Sequence, residues 1–70
     1  MKGLVKEGIK ANLEAIGVMP EFPVAHNNLA VAYLETEDFD KAIEHCDKAQ
    51  SLGFEVAQEL LDELAPHRKS

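Results

Sequence analysis

Two runs of apolar residues at helical spacing, parted by only a few polar ones, constrain this chain more than any other feature. The first places Leu29, Ala32 and Tyr33 within the stretch 28–34, and the second places Phe39, Ala42, Ile43, Cys46 and Ala49 within 39–49. Steps of three and four put each set on one face of a helix. The break between them, Glu35-Thr36-Glu37-Asp38, is too short for anything but a reversal, so the two helices fold back as an antiparallel hairpin. Small residues (Ala30, Ala42, Ala49) stand among large ones (Leu29, Tyr33, Phe39), which lets the two surfaces approach closely and interlock.

The same residues carry a family resemblance. The stretch resembles a tetratricopeptide repeat, whose signature sets a large residue, a Leu-small pair, a tyrosine, an alanine, an aromatic, an alanine and a proline at fixed offsets. His26 stands in the opening aromatic slot, Leu29-Ala30 is the Leu-small pair and Tyr33 the tyrosine. Phe39 fills the aromatic at the turn, Ala42 the small residue of the second helix, Cys46 its aromatic slot and Ala49 the last small residue. The chain departs from the pattern at His26, at Cys46, and at Gly53-Phe54, where a proline is usual. Gly53 does similar work, since glycine takes the left-handed conformation that ends a helix.

A shift by the repeat period of about 34 residues lays Val5 on Phe39, Gly8 on Ala42, Ile9 on Ile43, Asn12 on Cys46 and Ala15 on Ala49. Residues 3–20 thus resemble the second helix of a partial repeat, with Pro20 at its closing proline. Val5, Ile9, Leu13 and Ile16 supply an apolar stripe for a helix over about Leu4 to Val18. Gly8 costs about 1 kcal/mol against alanine, which makes sense if another helix packs tightly there. Met19-Pro20-Glu21-Phe22-Pro23 then forms a turn, and Pro23 suits the first position of the next helix, about Val24 to Glu35. A third helix follows over about Asp40 to Leu52, with Asp38 at its N-cap and Lys41, Glu44, His45 and Lys48 on a solvated outer side. A fourth, about Glu55 to Ala65, buries Val56, Leu60, Leu61 and Leu64, ends at Pro66 and leaves His67 to Ser70 as a frayed tail.

The expected fold is therefore all-α: four antiparallel helices in the hairpins of a tetratricopeptide-type α-solenoid. It makes one domain over 1–70, with a partial repeat at 3–20, a full repeat at 23–54 and a capping helix at 55–66. Stacked repeats are usually stable only in threes or more, and this chain holds fewer. Either it is the C-terminal piece of a longer array, or its open end pairs with a second copy as a homodimer.

Composition narrows the function. At 46% apolar residues the chain is not disordered, and a formal net charge of -6 repels phosphate backbones and anionic lipid. Nucleic-acid and membrane partners are not expected. No long uncharged apolar run occurs, the N-terminal stretch is broken by charge, and a lone cysteine fits a reducing, cytoplasmic setting. The soft or imidazole ligands are His26, His45, Cys46 and His67. His45 and Cys46 point about 100° apart on a helix, and no C-x-x-C or H-E-x-x-H spacing is present. A Cys-His nucleophile would need Cys46 exposed beside a histidine, yet Cys46 lies on an apolar stripe. The acidic residues Glu35, Glu37, Asp38 and Asp40 lack the glycine of a calcium loop and read as a solvated turn. No enzymatic activity, cofactor or metal is expected.

The resemblance implies binding instead. In this family the first helix of each repeat lines a concave face that receives partner peptides or helices. Here that groove would be made by Val24, Asn27, Val31, Leu34 and Glu35, extended by Gln58 and Leu61 of the fourth helix. The Asn27 amide both donates and accepts, Val31 and Leu34 offer apolar contact, and Glu35 favours basic residues. Some family members grip a C-terminal carboxylate with lysines, arginines and asparagines. The second helix here has no Lys or Arg, and Val31 stands where one such asparagine would be. The expected partner is a protein segment that is apolar or basic, not a free acidic tail.

Overall fold

The computed structural model describes residues 2–68, with side chains from Leu4 onward. Four α-helices follow one another: α1 (Lys2–Val18), α2 (Pro23–Glu35), α3 (Phe39–Ser51) and α4 (Gln58–Leu64), the last running into a 3-10 turn over Ala65–His67. The described residues contain no strand. α1 packs on α2, α2 on α3, and α4 on α3. α2 is therefore the middle element, touched on two sides.

The core forms where the spacing predicted it. Leu29, Ala30 and Tyr33 of α2 meet Ala42, Cys46 and Ala49 of α3, and Val56, Leu60 and Leu64 close the cluster from the C-terminal side. Leu29, Leu64 and Cys46 are fully buried. Removing a leucine side chain from water is worth about 1.5–3 kcal/mol, so Leu29 and Leu64 are principal stabilisers of so small a core. Ile9 and Ile16 of α1 pack against the cluster from its edge. Leu13, expected in the same stripe, is 42% exposed. α2 covers one side of α1, and Leu13 lies beyond the strip that this single neighbour reaches.

Both ends of the hairpin are closed by the same backbone device. After α3, the Phe54 amide donates to the Ala49 carbonyl at 3.0 Å and the Gly53 amide to Gln50 at 2.9 Å, with Gly53 at φ 89°. After α2, Asp38 donates to Tyr33 at 2.8 Å and Glu37 to Leu34 at 3.1 Å, with Glu37 at φ 62°. Each is a Schellman cap, which satisfies carbonyls that the helix end would leave orphaned. Glycine takes the left-handed position without strain, whereas a glutamate there costs about 1–2 kcal/mol. The tight reversal is thus held against a local penalty by the packing of α2 on α3.

Several expectations are corrected. Asp38 occupies the N-cap of α3, but its side chain makes no cap hydrogen bond and instead pairs with Lys41 at 3.8 Å. α4 starts at Gln58, not Glu55: residues 54–57 are non-helical, with Ala57 extended at ψ 137°. No side chain caps that start, and Val56 reaches the core from the non-helical segment. Pro66 lies within the 3-10 turn, near the start of which its missing amide hydrogen is tolerated. His67 and Arg68 are not frayed: His67 stacks on Phe39 at 3.5 Å between ring centres, and Arg68 grips Asp47 with two hydrogen bonds, at 2.7 and 3.1 Å. Lys69 and Ser70 lie outside the described residues. His45, expected to be solvated, is half-buried and stacked on Tyr33. The tight contact expected at Gly8 is absent among the described residues, where a Cβ would meet nothing within 4 Å. Ala42, its counterpart one period on, is fully buried. α1 thus leaves open a face that α3 closes.

Candidate partner-binding face

α2 has three sides to account for. The side towards α1 carries Asn28, whose amide reaches the Asn12 oxygen at 3.5 Å. The side towards α3 carries His26, Ala30 and Tyr33, all buried. Steps of three and four then leave Val24, Asn27, Val31, Leu34 and Glu35 together on the remaining side. Two neighbours covering two sides is what creates this third, uncovered one.

Its members differ in what they offer. Val24 and Val31 are 43% and 40% exposed, a high value for valines that share a helix with five buried residues. Glu35 is exposed at the C-terminal end of the helix. Leu34 is half-buried and packs against the core, so it joins the face only by its outer edge. Asn27 lies between the two valines, and its Oδ1 is buried with no hydrogen-bond partner. An orphaned buried acceptor costs about 1–3 kcal/mol, and a native structure tolerates few of them. On α4, Gln58 is exposed and its amide donates to Asp62 at 2.9 Å, while Leu61 is half-buried against the same core as Leu34. Leu34 and Leu61 thus share a core. Gln58 is turned to its own helix by that bond.

The remaining candidates lie on α3 and at the turn before it. Cys46 is fully buried, and burial followed by the charge of Asp47 pushes its thiol up, away from the thiolate that a nucleophile needs. No group of three or more His, Cys, Asp or Glu among the described residues is placed to hold a metal ion. Of the acidic turn, Glu35, Glu37 and Asp40 are exposed, while Asp38 is half-buried and paired with Lys41. Two open cavities, of 330 and 470 Å³, lie along α3, the first lined by His67 and Arg68 and the second by His26 and His45. Neither is lined by Val24, Asn27, Val31, Leu34 or Glu35 of the uncovered side of α2.

Antiparallel helices stacked side by side, with one flank of the middle helix open, define a helical-repeat protein. Residues 23–52, which take in α2, its turn and α3, match the tetratricopeptide repeat family model, which supports reading that hairpin as one such repeat. Such repeats serve in general as modules for protein–protein interaction, without a catalytic role of their own. No curated protein and no solved structure matches the chain at a significant level. Among the described residues, no helix is long and apolar enough to cross a membrane.

Two features of the uncovered side of α2 are not visible in the spacing. Nothing in the spacing marks the Asn27 oxygen as unsatisfied, since that depends on how the amide is turned. Nor does it show that Leu34 is shared between face and core. The pairing of two polar residues across the hairpin, His26 and His45, was equally out of reach: each reads as an ordinary helix position until the helices are set together.

Proposed function

We propose that this chain is a non-catalytic docking module that seats a protein segment along the uncovered side of α2. Val24, Asn27, Val31 and Glu35 make the principal contacts, with Leu34, Leu61 and Gln58 at the margin. The observation that carries this reading is the orphaned Asn27 oxygen between two exposed valines. A modest rotation of that amide would bring the acceptor out to a partner's backbone N–H and remove the cost of leaving it unmade. The valines would meet apolar side chains at alternate positions. Glu35, in a chain of net charge -6, would favour a basic residue at one end. With no Lys or Arg on α2, an acidic C-terminal tail is a poor fit. The lone buried cysteine accords with a reducing, cytoplasmic setting.

Val31→Asp tests this. The residue is exposed enough that the fold should stay within about 0.5 kcal/mol. A carboxylate at the centre of the face should weaken binding of an apolar-basic peptide by about tenfold or more, or about 1.4 kcal/mol, measured by calorimetry. Unchanged affinity would contradict the proposal. Leu34→Asp is the poorer probe, because its carboxylate would also press on the core.

The open side of α1 favours a second reading, in which residues 3–20 act as half a repeat and pair with a copy, and 55–66 cap the other end. Leu4 and Val18 are 62% and 89% exposed, and Gly8 lies open between them. Sedimentation across a wide concentration range decides it: pairing predicts a dimer that Ala11→Glu disperses, and a monomer at every concentration rules it out.

A further inference from the structure

His26 and His45 meet where α2 leaves the turn after α1. His26 is 5% exposed, and both of its ring nitrogens are engaged. Its Nε2 lies 2.8 Å from the Pro20 carbonyl oxygen. That oxygen only accepts, so Nε2 carries a hydrogen. Its Nδ1 lies 3.0 Å from Nδ1 of His45. One hydrogen belongs between these nitrogens, since two lone pairs or two N–H groups would repel at that distance. In the neutral pair His45 donates through Nδ1 and His26 accepts. Nε2 of His45 is then the one nitrogen of the four with a lone pair to spare.

The ring centres are 5.2 Å apart and their planes 25° apart. For nitrogens 3.0 Å apart that is close to the greatest separation the two rings allow, so the Nδ1 atoms point at each other along one line. A metal held by both would need the lone pairs to converge on a point to one side. The geometry belongs to a shared proton.

The surroundings are mixed in charge. Tyr33 of α2 stacks on His45 at 5.7 Å, and Lys41 of α3 lies 5.5 Å from the Tyr33 ring centre. Burial, then the nearness of His26, holds His45 below its ordinary value; Glu44 opposes this and Lys41 adds to it. Asp47 and Lys48 stand on the rim of the 470 Å³ cavity that borders both rings and admits solvent.

We propose that His26 and His45 form a one-proton latch: the pair takes up one proton with the helices in contact and a second only by parting, so that acidification frees the first turn of α2 from α3. The first proton enters at Nε2 of His45. It leaves the Nδ1–H donor in place, so the contact persists as a charge-assisted hydrogen bond. The second must go to Nδ1 of His26, which would set two N–H groups head to head. Val24 and Asn27 ride on that turn, so on the docking reading above a partner would be shed in acid.

The sign of the stability change follows. An unfolded histidine titrates at about 6.5, and unfolding frees the two rings to take up protons independently, whereas the latch admits one with the helices in contact. The latch's stabilisation is present above that pH and is lost as pH falls below it. Each proton that the folded state declines raises the unfolding constant about tenfold per pH unit.

Side-chain nitrogen NMR of the full chain, with no partner present, tests this directly. At neutral pH His26 should be the Nε2–H tautomer and His45 the Nδ1–H tautomer. On acidification one ring should titrate with the α2–α3 amide signals unmoved, and the other only as protection of the first turn of α2 is lost. Both rings as Nε2–H tautomers, or both titrating in full with the helices still in contact, would overturn the latch. His26→Phe gives a second readout, since it refills the slot with an aromatic ring. It should lower the acid slope of the unfolding constant by about one proton, or tenfold per pH unit; an unchanged slope would place the effect on the carboxylates. Should that variant not fold, the tautomers of the natural chain still decide the matter.

Discussion

Leu29→Ala is expected to remove about 2–5 kcal/mol of stability. The side chain is fully buried at the centre of the α2–α3 contact, beside Tyr33, Ala42 and Cys46. Truncation would lose its transfer free energy and leave a cavity between two helices that are each pinned by a Schellman cap and cannot close it. Small domains hold about 0.05–0.15 kcal/mol per residue, so this one substitution would consume much of what the chain has. At roughly 4–8 °C per kcal/mol for a domain of this size, the melting midpoint should fall by roughly 8–40 °C. Thermal and urea unfolding followed by circular dichroism measure it. A loss below about 1 kcal/mol would mean that the hairpin is not packed through Leu29.

Leu64→Ala is expected to cost about as much, roughly 2–5 kcal/mol, for a different reason. α4 has only seven residues, and isolated helices shorter than about 12–15 residues are marginal in water. It exists because Leu60 and Leu64 dock it on the core. Without Leu64 the helix loses its anchor and the substitution should melt α4 before the hairpin. The Phe39–His67 stack and the Asp47–Arg68 pair would go with it. Hydrogen exchange should show protection lost over Gln58–Leu64 first, with the α2–α3 amides following at higher denaturant. Simultaneous loss of all three helices would instead make α4 part of a single cooperative unit. Retained protection would mean that something other than Leu64 holds it.

These two leucines show why the core was legible in the sequence and its edges were not. Leu29, Tyr33, Ala42, Cys46 and Ala49 recur at the helical period within two short runs, and the short break forces those runs together. Periodicity is a local signal, and here the local and tertiary preferences agree. Val56, Leu60 and Leu64 also fall at steps of four, but Val56 is in a non-helical segment. The spacing of buried residues is compatible with either conformation, and the uncapped start at Ala57 decides it. His45 misled for a related reason. Its position on α3 is at the rim of the apolar stripe, and only the arrival of His26 from α2 turns that rim into an interface. Gly8 is the converse case, since its register matches Ala42 while a Cβ there would meet nothing within 4 Å among the described residues. That Val24, Val31 and Leu34 form a side of α2 separate from Leu29 and Tyr33 was legible from their spacing. Its unsatisfied amide was not.

The claim on which the rest depends is that the uncovered side of α2 receives a polypeptide. Backbone amide shifts of the full chain, followed while pooled apolar-basic peptides are titrated in, test it most directly. The account predicts saturable shifts at Val24, Asn27, Val31 and Glu35, weakened by added salt as the Glu35 contact is screened, and none with acidic-tailed peptides. Shifts confined to the outer face of α3, at Lys41, Glu44 and Lys48, would contradict it.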